Sequence, residues 1–148
     1  MGKNKLKKFA EIEKLPCVLQ YPRERLIKEG FPYKGSWHRD IFGNSNPIVL
    51  ELGCGKGEYT VGLAYANPDK NFIGIDIKGA RIWKGAKEVD ENNISNARFL
   101  RTEIENLSSF FDEDEVDEIW ITFPDPQMQK SRKRLTSTGF LTRYSRIL

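Results

Sequence analysis

The stretch Val-Leu-Glu-Leu-Gly-Cys-Gly-Lys-Gly-Glu-Tyr-Thr, residues 49 to 60, decides the fold of this chain. An apolar run over 48–52 predicts a buried strand, which leads into a loop with glycine at positions 53, 55 and 57. The residues that follow predict a helix over 57–66. Because glycines let a ligand approach bare backbone, we expect a cofactor site at Gly53, Gly55 and Gly57.

The spacing of these glycines separates two classes of cofactor. The dinucleotide fingerprint G-x-G-x-x-G requires a third glycine at position 58, where this chain has Glu58. A second carboxylate, Glu51, stands at the end of the strand. Two carboxylates repel a pyrophosphate but attract a cofactor with positive charge, such as the sulfonium and ammonium of S-adenosylmethionine. The loop therefore favours S-adenosylmethionine as the cofactor.

Strands and helices alternate from residue 48 onward. Continuous apolar strands in such a pattern predict an α/β fold, a Rossmann-like doubly wound and mostly parallel sheet with helices on both faces. The predicted strands cover 48–52, 71–75, 97–101 and 118–123, and the predicted helices cover 57–66, 79–92 and 105–111, with another from 137 or 138.

Residues 1–47 differ from the rest, with four prolines, several aromatic residues and no sustained periodicity. They predict a basic and aromatic N-terminal extension with short helices near 4–14 and 22–29. Residues 48–148 then form the N-terminal part of the S-adenosylmethionine-binding domain. Because doubly wound sheets usually have five or more strands, we expect a sheet truncated after its fourth strand, with its C-terminal part missing.

Composition excludes several classes of protein. With 39% hydrophobic and 30% charged residues over 148 positions, the chain is one globular domain rather than a disordered one. No apolar run approaches the roughly 20 residues that cross a bilayer, and no secretory signal is present, so we expect a cytoplasmic protein without a membrane partner. Two cysteines and one histidine give no zinc-site spacing, so we expect no metal.

Charge is unevenly distributed along the chain. Residues 1–10 and 130–146 contain basic residues and no acids, whereas residues 103–118 contain acids and no bases. Such clusters indicate a polyanionic partner, although solvated faces of the protein would give the same pattern.

Two further acids follow predicted strands. Asp76 comes 19 residues after Gly57, at the spacing of an acid that accepts hydrogen bonds from both ribose hydroxyls of a cofactor. That position does not distinguish S-adenosylmethionine from NAD. Glu103 follows the third strand and could bind an adenine amino group, or it could be a carboxylate favoured by a helix N-terminus.

The fourth strand ends in Phe-Pro-Asp-Pro, residues 123 to 126. Because two prolines fix the backbone on either side of Asp125, we interpret this carboxylate as part of a site. The run that follows suits a phosphate backbone and contains Lys130, Arg132, Lys133 and Arg134.

Three motifs together resemble the bacterial tRNA (guanine-N7)-methyltransferases. They are Glu-Leu-Gly-Cys-Gly-Lys-Gly at 51–57, Gly-Ile-Asp-Ile-Lys at 74–78, and the Pro-Asp-Pro segment with its basic cluster. The resemblance covers residues 36–148 and implies a class I fold that transfers a methyl group from S-adenosylmethionine to N7 of a guanine in tRNA.

The resemblance also implies roles for individual residues. It associates Glu51, Asp76, Glu103 and Asp125 with the cofactor, and the lysine after Pro-Asp-Pro, which we place at Lys130, with the RNA. Two positions depart from the family, which usually has Asp at the position of Glu103 and Trp at the position of Gln127. The family's remaining substrate residues correspond to positions beyond 148.

Methylation of guanine N7 needs no general base, because this nitrogen is an acceptor without a proton. Asp125 is our candidate catalytic residue, since a fixed carboxylate would stabilise the positive charge that the purine gains. Three alternatives are a methyltransferase with a protein or small-molecule substrate, an NAD-dependent oxidoreductase, and a non-catalytic RNA-binding module.

Overall fold

A parallel sheet forms the centre of the computed structural model, which describes residues 2–121 and 144–148. Five strands are present in this part of the chain, in the order β1-β4-β3-β2-β5. The strands are β1 (Val18–Gln20), β2 (Ile48–Leu52), β3 (Asn71–Asp76), β4 (Ala97–Arg101) and β5 (Glu118–Trp120). All the pairings between them are parallel, which confirms the predicted α/β class.

Helices flank the sheet. The α-helices are α1 (Gly2–Ile12), α2 (Arg23–Glu29), α3 (Glu58–Ala66), α4 (Gly79–Glu91) and α5 (Leu107–Phe110). A π-helix over Trp37–Phe42 precedes β2, and a 3₁₀ turn over Ile104–Asn106 precedes α5. The two helices predicted before residue 30 are confirmed as α1 and α2.

Alternate residues of the central strands serve two apolar clusters, one on each face of the sheet. On β2, Leu50 and Leu52 pack into the first cluster, and Val49 packs into the second. Residues before β2 and residues of α5 cover the first face, whereas α3 and α4 cover the second. Glu51 shares the parity of Val49, so its carboxylate belongs to the face that α3 covers.

Strand β1 is an element that the sequence analysis did not predict. It pairs with β4, with Val18 opposite Phe99 and Gln20 opposite Arg101. The strand has three residues, all partly exposed, so it lacks both the apolar run and the alternation that reveal longer strands. Residues of the N-terminal segment therefore form one edge of the sheet.

The aromatic residues before β2 are fixed by polar contacts as well as by packing. Trp37 is fully buried, and its Nε1 donates to the carbonyl of Phe110 at 2.8 Å. The Glu115 carboxylate accepts N–H bonds from Gly35 at 2.9 Å, Trp37 at 3.1 Å and Asp112 at 2.9 Å. One buried carboxylate thus joins the segment before β2 to the loop before β5.

Part of the acidic stretch 103–118 has a structural role. Besides Glu115, Asp117 accepts the backbone N–H of Ile48 at 2.8 Å and so fixes the start of β2. These two carboxylates explain some of the charge clustering without a binding partner.

Several predictions remain open. The division of the chain at residue 47 stays a prediction about domains. The end of the strand predicted over 118–123, and the helix predicted from 137 or 138, fall outside the described residues. Among the residues that the structure describes, no helix is long and apolar enough to span a membrane.

Candidate functional site

Three of the predicted acids lie at or just beyond the carboxyl ends of neighbouring strands, at the same edge of the sheet. Glu51 is the fourth residue of β2, Asp76 is the last of β3, and Glu103 comes two residues after β4. In open α/β sheets, ligands bind outside the carboxyl ends of the strands. The structure therefore brings these acids to the edge at which a cofactor is expected.

The glycine loop between β2 and α3 passes over this edge. The Cys54 N–H donates to the carbonyl of Ile75 at 3.0 Å, which extends the β2–β3 pairing by one bond. Gly53, Gly55 and Gly57 all have positive φ angles, of 67°, 56° and 78°. Such angles favour glycine because a Cβ is strained there.

Gly55 and Gly57 differ in their surroundings. An ideal Cβ at Gly57 would lie 2.7 Å from the ring of Phe99 and 3.3 Å from the Cα of Gly85 in α4. At Gly55, no described atom lies within 4 Å of such a Cβ. Gly57 therefore lets the loop pack closely against Phe99 and α4. Gly55 faces open space in which a ligand can approach the backbone.

Asp76 fixes the loop through its carboxylate. Oδ2 accepts the Gly55 N–H at 3.0 Å, and Oδ1 accepts the Lys78 N–H at 2.9 Å. Each carboxylate oxygen can accept two hydrogen bonds, so one further position remains on each. The structure thus gives Asp76 a role that the sequence analysis did not assign, because it joins the glycine loop to the turn after β3.

Glu51 is almost completely buried, with 4% of its surface exposed. Its Oε1 accepts a short hydrogen bond of 2.5 Å from the hydroxyl of Thr60, in the first turn of α3. This length lies at the short end of the usual range for an O–H···O bond. Thr60 therefore fixes the orientation of the Glu51 carboxylate beneath the glycine loop.

Cys54 reports the negative character of this region. Burial, followed by the charges of Asp76 and Glu51, raises the pKa of the Cys54 thiol well above its usual range. The thiol is therefore neutral at physiological pH. Both carboxylates lie within electrostatic reach of one sulfur atom, so their charges act together on whatever occupies the edge.

Glu103 is exposed, unlike the other two acids. It occupies the position before the 3₁₀ turn, yet its side chain makes no capping hydrogen bond to a described residue. The turn is tied to β3 because the Thr102 N–H donates to the carbonyl of Asp76 at 3.2 Å. The backbone just before Glu103 is therefore held at the end of β3, and the Glu103 carboxylate lacks the capping role that its position suggests.

The remaining predicted site residues lie outside the described part of the chain. They are Asp125, Lys130, Arg132, Lys133 and Arg134. Strand β5 runs beside β2 with Trp120 opposite Glu51, so its described residues lead toward the same edge.

Sequence reasoning missed Thr60 and Arg101. Thr60 comes three residues after the last glycine of the loop, and a hydroxyl in the first turn of the following helix is the signal that could have revealed it. Arg101 ends β4, and its side chain reaches the carbonyl of Ile77 in the turn after Asp76. No sequence pattern predicts that contact, because it depends on how β4 pairs with β3.

The geometry specifies what this edge can bind. The buried and oriented Glu51 carboxylate favours a cation over a pyrophosphate, and the remaining lone pairs of Asp76 accept hydroxyl or amino hydrogens. The open approach to the Gly55 backbone allows a flat or extended group to lie against the loop.

Comparison with known proteins also indicates a methyltransferase. Residues 45–148 match the model of a family described as "Putative methyltransferase". A tRNA (guanine-N(7)-)-methyltransferase of Bacteroides fragilis is 57% identical over 148 residues, which is 100% of this chain and 59% of that protein. A protein of the same name from Porphyromonas gingivalis is 61% identical over 139 residues, covering 93% of this chain and 57% of the relative. The chain thus spans less than two thirds of the length of these relatives.

A solved structure supports the fold. The 30S ribosomal A1408 methyltransferase from an uncultured bacterium superimposes with a TM-score of 0.57 at 23% identity, over 74% of this chain and 52% of that one. The resemblance inferred from the three sequence motifs is confirmed, and the chain belongs to this methyltransferase family.

Proposed function

We propose that the protein transfers a methyl group from S-adenosylmethionine to N7 of a guanine in tRNA. The observation that carries the proposal is the pair of buried carboxylates, Glu51 and Asp76, beneath a glycine loop that ends without the dinucleotide spacing. The names of the relatives support the reaction and the substrate class. A tRNA substrate also favours the cytoplasm as the location.

The residues present fit S-adenosylmethionine. Gly55 leaves open space beside the loop, and Asp76 keeps free acceptor positions after binding the two backbone amides. We assign Asp76 to the ribose hydroxyls, Glu103 to the adenine amino group and Glu51 to the positively charged part of the cofactor. When bound, S-adenosylmethionine supplies a methyl group that is activated by the positive charge on sulfur.

The protein's task is to hold and orient the two reactants. Because guanine N7 has no proton, no residue has to act as a general base. Alignment of donor and acceptor contributes to the rate by proximity. We assign Asp125 to stabilising the charge that the purine gains, and Lys130, Arg132, Lys133 and Arg134 to the phosphate backbone of the RNA.

Calorimetry with S-adenosylhomocysteine and NAD tests the cofactor. We expect this chain to bind S-adenosylhomocysteine with micromolar or tighter affinity and NAD at least about 100-fold more weakly, because the buried Glu51 carboxylate beneath the loop opposes a pyrophosphate. Comparable affinity for both ligands, or preference for NAD, would show that the edge is not a methyl-donor site.

The Asp125→Asn substitution tests the acceptor side. In the full-length protein we expect methyl transfer to tRNA to fall by at least about 100-fold in kcat, because the variant loses the charge that stabilises the transition state. The measurement is transfer of labelled methyl groups to unmodified tRNA, with Asp114→Asn, an exposed acid in the loop before β5, as control. Activity within a few-fold of the wild type would exclude this role for Asp125.

A further inference from the structure

Arg101 makes contacts with three separate elements around the turn after β3. Its Nε donates to the carbonyl of Ile77 at 3.0 Å, and its Nη1 donates to Oε1 of Gln20 in β1 at 2.9 Å. The guanidinium also lies over the ring of Phe9 in α1, with its carbon 4.8 Å from the ring centre. Arg101 therefore joins the end of β4 to the N-terminal helix α1, to the edge strand β1 and to the turn after Asp76.

The contact between Arg101 and Ile77 affects Asp76, because Arg101 and Asp76 bind opposite sides of the same peptide group. The carbonyl of Ile77 and the N–H of Lys78 belong to one planar trans peptide, and they point in opposite directions. Arg101 binds the carbonyl, while Oδ1 of Asp76 accepts the N–H at 2.9 Å. Rotation of this peptide would break both hydrogen bonds together.

From this geometry we infer that Arg101 is a positioning residue for the proposed S-adenosylmethionine site formed by Glu51, Asp76 and the glycine loop, here called the donor site. By fixing the Ile77–Lys78 peptide, it fixes the orientation of the Asp76 carboxylate, whose other oxygen holds the Gly55 N–H. This inference rests on the proposed function, in which Asp76 binds the ribose. It extends that function to a residue that does not itself contact the cofactor.

The packing around Gly79 joins α1 to the same turn. An ideal Cβ at Gly79 would lie 2.7 Å from Cδ1 of Ile12 and 3.1 Å from both Phe9 and Arg101. The first residue of α4 therefore leaves no room between α1 and the turn. The N-terminal helix thus packs against the turn that Arg101 holds.

The test is Arg101→Ala, with Arg98→Ala as a matched control. Arg98 lies on the same strand, bonds the carbonyl of Ile41 at 3.3 Å and stands over the ring of Phe42 at 5.3 Å, but it contacts nothing in the turn after β3 that the structure describes. Both variants lose an arginine, a hydrogen bond to a distant carbonyl and a cation–π contact. Only the first loses the contact beside Asp76.

We expect Arg101→Ala to weaken binding of S-adenosylhomocysteine by about 10-fold or more, as for loss of a hydrogen bond from a charged group. Arg98→Ala is expected to stay within 2-fold of the wild type. Arg101→Lys should fall between, because a single ammonium cannot reproduce the fork that reaches Ile77 and Gln20 together. Calorimetry well below the melting temperature separates these effects from a general loss of stability.

Amide hydrogen exchange of the ligand-free protein provides a second readout. In Arg101→Ala the Lys78 and Gly55 amides should exchange at least about 10-fold faster, whereas Arg98→Ala should leave both unchanged. Unchanged exchange at Lys78, or unchanged affinity in a protein that does bind S-adenosylhomocysteine, would overturn the inference. Failure of the wild type to bind that ligand would instead overturn the proposed function, and the exchange rates would still decide the role of Arg101.

Discussion

Asp76→Asn is expected to reduce binding of S-adenosylhomocysteine by at least about 100-fold. Both oxygens of Asp76 accept backbone N–H groups, from Gly55 and from Lys78. An asparagine would turn its amide nitrogen toward one of these donors, so one hydrogen bond would become a contact between two donors. Hydrogen bonds to a charged group contribute about 1.5–3 kcal/mol each, and the proposed ribose contacts would be lost with them.

Calorimetry on the folded variant is the measurement, with Asp69→Asn as the control. Asp69 is an exposed acid in the turn that precedes the same strand, at the opposite end from the site. The Asp69→Asn substitution should leave the affinity for S-adenosylhomocysteine unchanged and shift the melting temperature little. An Asp76→Asn variant that binds within 5-fold of the wild type would show that the carboxylate does not contact the ligand.

Gly57→Ala is expected to lower the free energy of unfolding by about 2–5 kcal/mol. The positive φ of 78° disfavours any residue with a Cβ by about 1–2 kcal/mol. A Cβ would also lie 2.7 Å from two ring atoms of Phe99, which is fully buried. Forcing an extra carbon into a packed core costs about a further 1–3 kcal/mol.

Substitutions at two other glycines separate the backbone cost from the packing cost, as measured by urea or thermal unfolding. Gly55→Ala has a positive φ but no described atom within 4 Å of its Cβ, so it should show the conformational term alone, about 1–2 kcal/mol. Gly62→Ala lies in α3 with neither strain nor contact, and it should stabilise the helix by up to about 1 kcal/mol. Equal effects at positions 55 and 57 would mean that the contact with Phe99 relaxes.

The central strands and the sheet edge that carries Glu51 and Asp76 could be predicted from the sequence because their signals are local. The apolar run before Gly53 and the run before Asp76 each mark a buried strand and the point at which it ends. Parallel pairing then brings these ends to one edge, so Glu51 and Asp76 could be assigned to one site before any coordinates.

The rest depends on distant contacts that leave no local pattern. Strand β1 is too short to show a periodicity, and only its pairing with β4 makes it a strand. Thr60 and Arg101 acquire their roles from the residues that packing places beside them, namely Glu51 and Ile77. Charge patterning does not identify Glu115 as a buried acceptor, because its three N–H donors are 3, 78 and 80 positions away in sequence.

The order of the strands has a consequence for synthesis on the ribosome. Val18 pairs with Phe99, 81 positions later, whereas Ile48 pairs with Asn71 after only 23. At translation rates of about 5–20 residues per second, β1 would emerge roughly 4–16 seconds before its partner. Among the described strands β1 therefore waits longest for its first partner, and until β4 arrives its open backbone is available to other chains or to a chaperone.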